Sequence, residues 1–392
     1  MIKLTFLGDV MCKAQMVTAY KTDSGYNFDT IFEKMKGYFK DSDYVLANLE
    51  TPISFDNSDL TDEQWRFNSP YEFAESAFKS GIHFAATANN HCLDRGKKGI
   101  ESTVKALNKI GFAHTGVFSS EKKKPLIINV KGIKFGILAY TYGTNAFSNN
   151  EYLGKDEKYM VNLFQEQELN NSILRYCYHN KNKKTVKIIN RILGKFKRFQ
   201  MDKPIYERTG NDKYQKEQLL REIFELKVKE VDYIIMYMHA GGQYNSSPTE
   251  YTVKLADYLI QHGVDIVAGS HEHVVHGGDF SNISKGKLVT YSLGNFDGIA
   301  GVYDKPFDKM AEYLIAWNIY FDEFKKTIIK TTFSVLKTIE CENKKVQTIP
   351  LYDLIAETAE ADEKKKLERD AVKIAEIFSG KLYDGIQKEY SI

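Results

Sequence analysis

The chain has 392 residues, 43% of them hydrophobic, enough for one large domain with insertions or for two domains. Its formal net charge of +2 gives no global field that would announce nucleic acid or a membrane surface. No run of about eighteen apolar residues occurs, so no membrane-spanning helix is expected, and Cys12, Cys92, Cys177 and Cys341 form no C-x-x-C, as for reduced thiols. Met1-Ile2-Lys3 enters a strand-like run at once, without a charged-then-apolar leader, so a cytoplasmic location is expected.

Along the chain, Leu4–Gly8 is apolar and runs into Asp9. Phe28–Phe39 has helical spacing, and Tyr44–Leu49 then runs into Glu50. Tyr71–Lys79 is again helix-like, and Ile82–Ala88 runs into Asn89-Asn90-His91. Gly99–Ile110 predicts a helix that stops at Gly111, a C-cap residue. Strand–helix alternation of this kind predicts right-handed crossovers and a largely parallel sheet. Leu126–Val130 and Ile133–Tyr140 flank Lys131-Gly132 and read as a hairpin.

Residues 146–230 interrupt the pattern. Between Glu168 and Asp202 there are nine bases and no acid. Val186, Ile189, Leu193 and Phe196 share one helical face there, with Lys187, Arg191, Lys195 and Arg198 on the other. Such a helix packs its apolar stripe on the domain, caps an anionic substrate, or touches anionic membrane through residues 181–199.

Beyond it, Tyr233–Met238 runs into His239, and Asp265–Gly269 into Ser270-His271-Glu272-His273. Leu288–Leu293, Tyr313–Phe321, Thr327–Ile339 and Val346–Leu351 are further strands without helices between them. They predict a second, more antiparallel sheet packed on the first, with helices outside. Leu351–Ile392 is charged and helix-like. The chain therefore divides into a main domain, 1–340, with a basic helical insertion at about 146–230, and a C-terminal strand and helical appendage, 341–392.

Five strand-like runs thus end in potential metal ligands. Open α/β sheets keep their sites at the carboxyl edge, where such residues converge. Carboxylate, amide oxygen and imidazole together suit a Zn, Mn or Fe site rather than a thiolate-only structural one. His271-x-His273 in an extended loop would point both rings one way, with Gly269 allowing a tight path. Glu50 can bridge two ions, and a buried carboxylate without a cation would be costly. Asp9 is a metal and catalytic candidate, Asn90 a neutral oxygen donor, and His91 a proton donor to a leaving group. No G-x-S-x-G, G-x-x-x-x-G-K-[ST] or G-x-G-x-x-G is present, which argues against serine hydrolases, phosphate-loop enzymes and dehydrogenases.

Gly8-Asp9-Val10-Met11, Asn48-Leu49-Glu50-Thr51-Pro52, Ala88-Asn89-Asn90-His91 with Asp94 and Gly96, His239 to Tyr244, Gly269-Ser270-His271-Glu272-His273-Val274 and Tyr291-Ser292-Leu293-Gly294-Asn295-Phe296 occur in one order. In these pieces the chain resembles the CapA, or poly-γ-glutamate capsule synthesis, family of the calcineurin-like metallophosphoesterases. The resemblance implies a four-layer α/β/β/α sandwich of two mixed sheets and a metal-dependent, hydrolase-like site near capsule or polymer biosynthesis. It implies a first metal site of Asp9, Glu50 and His273 and a second of Glu50, Asn90, His239 and His271. His91 would assist catalysis, with Asn48, Asn89, Tyr244 and Asn295 near the substrate. Met11 stands where related phosphoesterases have a histidine, Gln243 where Glu is usual, and Glu272 where Pro is usual. The expected protein is a metal-dependent hydrolase, a phosphoesterase by preference, with two divalent ions, one weakly held. Its substrate would be an anionic metabolite or polymer precursor. A γ-glutamyl amide hydrolase or transferase and a non-catalytic accessory of a polymer synthase are the alternatives.

Overall fold

The computed structural model describes residues 1–60, 65–167, 180, 183–195, 213–298 and 309–392. In its first half lie strands β1 (Ile2–Val10), β2 (Lys21–Thr22), β3 (Gly25–Tyr26), β4 (Tyr44–Leu49), β5 (Phe84–Ala86), β6 (Ala113–Thr115), β7 (Leu126–Val130) and β8 (Ile133–Thr141). The second half adds β9 (Tyr233–His239), β10 (Ile266–Ser270), β11 (Gly278–Asp279), β12 (Leu288–Thr290), β13 (Tyr313–Asp322), β14 (Thr327–Glu340), β15 (Val346–Pro350) and β16 (Tyr390–Ser391).

Among the described residues two large mixed sheets form, beside the two-stranded β2–β3 pair. One runs β15-β14-β13-β1-β4-β5-β6, with β16 on β14; the other runs β11-β12-β10-β9-β8-β7. The predicted helices form at Asp29–Phe32, Lys36–Lys40, Tyr71–Lys79 and Gly96–Ile110, the last ending on Gly111 at φ 80°. Lys131 and Gly132 turn the β7–β8 hairpin at φ 47° and 91°.

The assignment of strands to sheets differs from the sequence expectation. The late antiparallel strands return to the first sheet, where β13 pairs with β1 in the register Ile2↔Phe321. The second sheet is mostly parallel, since β8, β9, β10 and β12 all run one way. Strand patterns carry direction and length but not partner identity, which long-range register decides. Residues 341–392 pack against the rest of the fold. Strand β15 extends the first sheet, and the helix Ala361–Ser379 buries Leu367, Ala371, Ile374 and Phe378 in the central core.

That core lies between the sheets. Tyr233, Ile235 and Tyr237 of β9 face it, with Phe6, Phe84 and Trp317 from the other sheet. The alternate residues Ile234, Met236 and Met238 face outward onto Leu219, Ile223 and Leu259 of the covering helices. On the other outer side, Leu7, Val45 and Ala47 meet Phe28, Phe32 and Phe73. Both faces of each central strand are buried, so those strands read as continuous apolar runs rather than alternating ones.

Within the expected insertion, the helix Lys213–Val228 is one of these outer-layer helices. The basic helix spans Lys184–Lys195, with Val186 buried and Lys187 and Arg191 exposed. The side chains of Ile189, Leu193, Lys195, Phe196 and Arg198 lie outside the described residues.

Candidate metal centre

The carboxyl ends of β1, β4, β5, β9 and β10 meet at one edge. Strand β1 breaks register between Phe6 and Asp9. Asp9 then donates its N–H to Gly294 O at 3.0 Å, and its own carbonyl accepts from Phe296 N–H at 2.7 Å. A Cβ on Gly8 would stand 1.9 Å from Gly294 O, so only glycine lets the two backbones approach. This bridge sets Asn295 beside Asp9. Gly269 serves the same purpose rather than a tight turn: its Cβ would meet Tyr291 O at 2.1 Å.

Two groups of possible ligands form, Asp9 with Glu50 and His273, and Glu50 with His239 and His271; within each, the donor atoms lie within 4.8 Å of one another. Glu50 belongs to both. Asn90 Oδ1 is 2.8 Å from His239 Nε2 and adds an oxygen to the second group. The residues that the resemblance named for the two sites are thus brought together, from more than 260 positions apart in the case of Asp9 and His271, whose N–H donates to Asp9 Oδ2 across |i−j| = 262.

The loop path differs from the extended one expected. His271 and His273 have φ of 96° and 62°, both left-handed. Such backbone costs a non-glycine residue on the order of 1–3 kcal/mol and persists only where surroundings enforce it. Here the His271 N–H is held by Asp9 at 3.0 Å, and Glu272 O accepts from Tyr244 N–H at 2.8 Å.

Glu50 is 0% exposed, and neither of its carboxylate oxygens has a hydrogen-bond partner. Burial, and then the neighbouring Asp9, push its carboxyl well above the ordinary carboxylate range. Burial pushes the His239 and His271 imidazoles well below theirs, and the nearby histidines add to the effect. Neutral imidazoles are the form that ligates a metal, and a divalent cation reverses the penalty on Glu50. The donor set therefore fits cations of the Mn, Fe or Zn type.

Neighbours orient the donors. His273 Nδ1 lies 2.7 Å from Asn295 Oδ1, which assigns the proton to Nδ1 and the lone pair to Nε2. Asn48 donates through Nδ2 to Asp9 Oδ1 at 2.7 Å and also touches His239 Nδ1 at 3.2 Å. Asn89 donates to Leu49 O at 2.8 Å. Of the residues expected near substrate, Asn48, Asn89 and Asn295 are thus buried and engaged with protein, while Tyr244 is half-buried with its ring 5.6 Å from that of His273. Met11 is buried, and its N–H donates to Asp297 Oδ1 at 2.8 Å.

His91 stacks on Phe67, ring centroids 4.0 Å apart, with Nδ1 2.7 Å from Asp94 Oδ2. Three residues here went unassigned in the sequence. Asp94 orients His91; its spacing of three from the histidine was the available signal. Ser270 Oγ lies 3.0 Å from His239 Nδ1, a contact its position at the end of β10 could have suggested. Asn145 Oδ1 accepts from Asn90 Nδ2 at 3.3 Å. It enters only because β8 pairs with β9 as far as Thr141↔His239, which no local pattern announces.

The family model described as "Bacterial capsule synthesis protein PGA_cap" matches residues 3–298. The chain is similar to the "Capsule biosynthesis protein CapA" of Bacillus anthracis, 23% identical over 300 residues, or 75% of this chain and 59% of that one. It is also similar to the "PGA biosynthesis protein CapA" of Bacillus subtilis (strain 168), 24% identical over 301 residues, or 75% of this chain and 63% of that one. The matches thus span about three-fifths of each relative's length. A solved structure described as a novel phosphatase from Mycoplasma pneumoniae aligns over 85% of this chain and 92% of its own, at 14% identity and a TM-score of 0.43.

Proposed function

Since the chain belongs to the bacterial capsule synthesis protein PGA_cap family, we propose that it is a metal-dependent hydrolase, a phosphoesterase by preference. Its substrate is an anionic metabolite or polymer precursor linked to capsule or surface-polysaccharide biosynthesis. The observation that carries this reading is Glu50, wholly buried with two unpartnered oxygens between Asp9 and three histidines. A buried carboxylate in that setting is costly unless a cation meets it.

Asp9, Glu50 and His273 would hold one divalent ion, and Glu50, Asn90, His239 and His271 another. When bound, such ions lower the pKa of a water and polarise an ester or carbonyl oxygen. Asn295 keeps the His273 lone pair on Nε2, and Asn48 fixes the Asp9 carboxylate. Asp94 holds the His91 ring flat on Phe67, so that its Nε2 can hand a proton to the departing oxygen. Gln243 is exposed and Tyr244 half-buried beside His273. Chemistry at a γ-glutamyl amide is the second reading, supported by the words "PGA biosynthesis" in the name of the Bacillus subtilis relative.

No helix among the described residues is long and apolar enough to cross a membrane. The test is turnover of p-nitrophenyl phosphate and of γ-glutamyl-p-nitroanilide by Mn-loaded protein, beside the Glu50→Gln variant. Phosphate release that disappears in the variant supports the phosphoesterase. Release of nitroaniline alone supports amide chemistry, and a protein that binds metal yet turns over neither favours a binding role in a polymer synthase.

A further inference from the structure

We infer that Gln243 is a fourth donor to the cation held by Asp9, Glu50 and His273, closing that site on its solvent side with a neutral side-chain carbonyl. The inference rests on the metal-centre reading above and adds to it a ligand outside both clusters.

Three observations lead to it. The Gln243 amide nitrogen lies 3.3 Å from His273 Nε2. That nitrogen carries the lone pair, because Nδ1 is engaged with Asn295 Oδ1 at 2.7 Å. Two donors on one ion at about 2.1 Å are about 3.0 Å apart in an octahedron and about 3.4 Å apart in a tetrahedron. The Gln243 amide therefore stands where a neighbouring ligand stands. Rotation about its last torsion presents the oxygen in place of the nitrogen.

Secondly, the turn that carries Gln243 is pinned on both sides by one residue. Gly242 N–H donates to Glu272 Oε2 at 2.9 Å, and Tyr244 N–H donates to Glu272 O at 2.8 Å. Glu272 is itself buried, and a Cβ on Gly241 would stand 2.0 Å from its Oε1. Gly241 at φ 129° and Tyr244 at φ 60° bend the backbone around that carboxyl. Gln243 and Glu272 are thus parts of one construction: the buried acid fixes the turn, and the turn delivers the amide.

Thirdly, Gln243 is exposed, whereas Asp9, Glu50 and His273 are buried. It reaches His273 from outside the buried donor set. Two carboxylates, one imidazole and one carbonyl make an oxygen-rich set, suited to Mn2+ more than to Zn2+.

The test is titration of metal-stripped protein with Mn2+, followed calorimetrically, in wild type, Gln243→Ala and Gln243→Glu. An exposed position makes both variants compatible with folding, which circular dichroism checks. The expected result is two binding classes in wild type. One class weakens by about tenfold or more in Gln243→Ala and tightens by a similar factor in Gln243→Glu, where the donor gains a charge. The other class stays constant. Two classes unchanged within about twofold in all three proteins would overturn the proposal and leave the metal centre standing. Equal weakening in both variants would also overturn it, since an amide that only props His273 gains nothing from a charge. A wild-type protein that takes up no Mn2+ overturns the metal centre and this ligand together.

Discussion

His91 Nδ1 and Asp94 Oδ2 are 2.7 Å apart, and both side chains are almost wholly buried. Asp94 also accepts the Phe67 N–H at 2.7 Å and Asn149 Nδ2 at 2.7 Å, so its carboxylate is fixed from three sides. The pair leaves Nε2 as the ring atom able to meet a reacting group. His91→Ala is expected to keep its bound metal and to lose rate by roughly a hundredfold or more. Asp94→Asn should lower kcat in the same direction with metal content intact. Loss of metal in His91→Ala would make this histidine a ligand rather than a proton donor.

Glu50→Gln and His271→Ala are expected to abolish turnover and to lower metal content while the circular dichroism spectrum stays native. Glu50 contributes charge to both ligand groups, and His271 contributes to one. Neither side chain belongs to the apolar core between the layers. Atomic absorption on dialysed protein is the measurement. Full activity with unchanged metal in either variant would remove the assignment.

The two ions should be held unequally. Asn90, His239 and His271 are each 1–2% exposed, so the site they form with Glu50 is closed to solvent. The other site opens toward exposed Gln243. Fewer than two ions per chain should survive exhaustive dialysis, the enclosed one being retained. Two equally tight ions would contradict this.

Acid should destabilise the fold through His83, at the opposite end of β5 from the site. Its Nδ1 accepts the Val45 N–H at 3.0 Å, and burial pushes the imidazole below its ordinary value. The unfolded chain therefore takes up the proton first, and stability rises with pH through that window. The contribution is complete above about pH 6.5 and is lost as the pH falls toward the depressed folded value. The melting temperature, measured in EDTA at about pH 8 and 5.5, should fall less in His83→Gln than in wild type. An identical fall in both would exclude His83 as a source.

The basic helix supplies a salt-dependent contact if it acts on substrate or membrane. Lys184, Lys187 and Arg191 changed together to Gln should raise KM for an anionic substrate more than they lower kcat. Lost binding to phosphatidylserine vesicles with unchanged kinetics would instead assign the helix to a membrane surface. If neither changes, the helix is structural, in keeping with buried Val186.

The candidate ligands were legible in the sequence because each lies at the end of a buried strand or follows one, and buried strands leave a long apolar run in the chain. Asp9, Glu50, Asn90, His239, His271 and His273 each end or follow such a run, and strand ends in α/β folds converge. Helix boundaries at Tyr71–Lys79 and Gly111 were equally local, set by apolar period and a left-handed cap. Which sheet received β13 and β15 was not local. Leu314 and Ala316 face one layer and Ile315 and Trp317 the other, so either sheet could have accepted that pattern. Only pairing with β1 over some three hundred residues decided it. The same holds for the orienting shell. Asn48, Asn295 and Ser270 act through hydrogen bonds to ligands on other strands, and Gln243 reaches His273 from a turn shaped by Glu272. Sequence determined which residues can bind a cation, because side-chain chemistry and strand position are properties of short segments. Tertiary structure decided which lone pair each presents and from which side, because those depend on contacts between segments that only the packed sheets bring together.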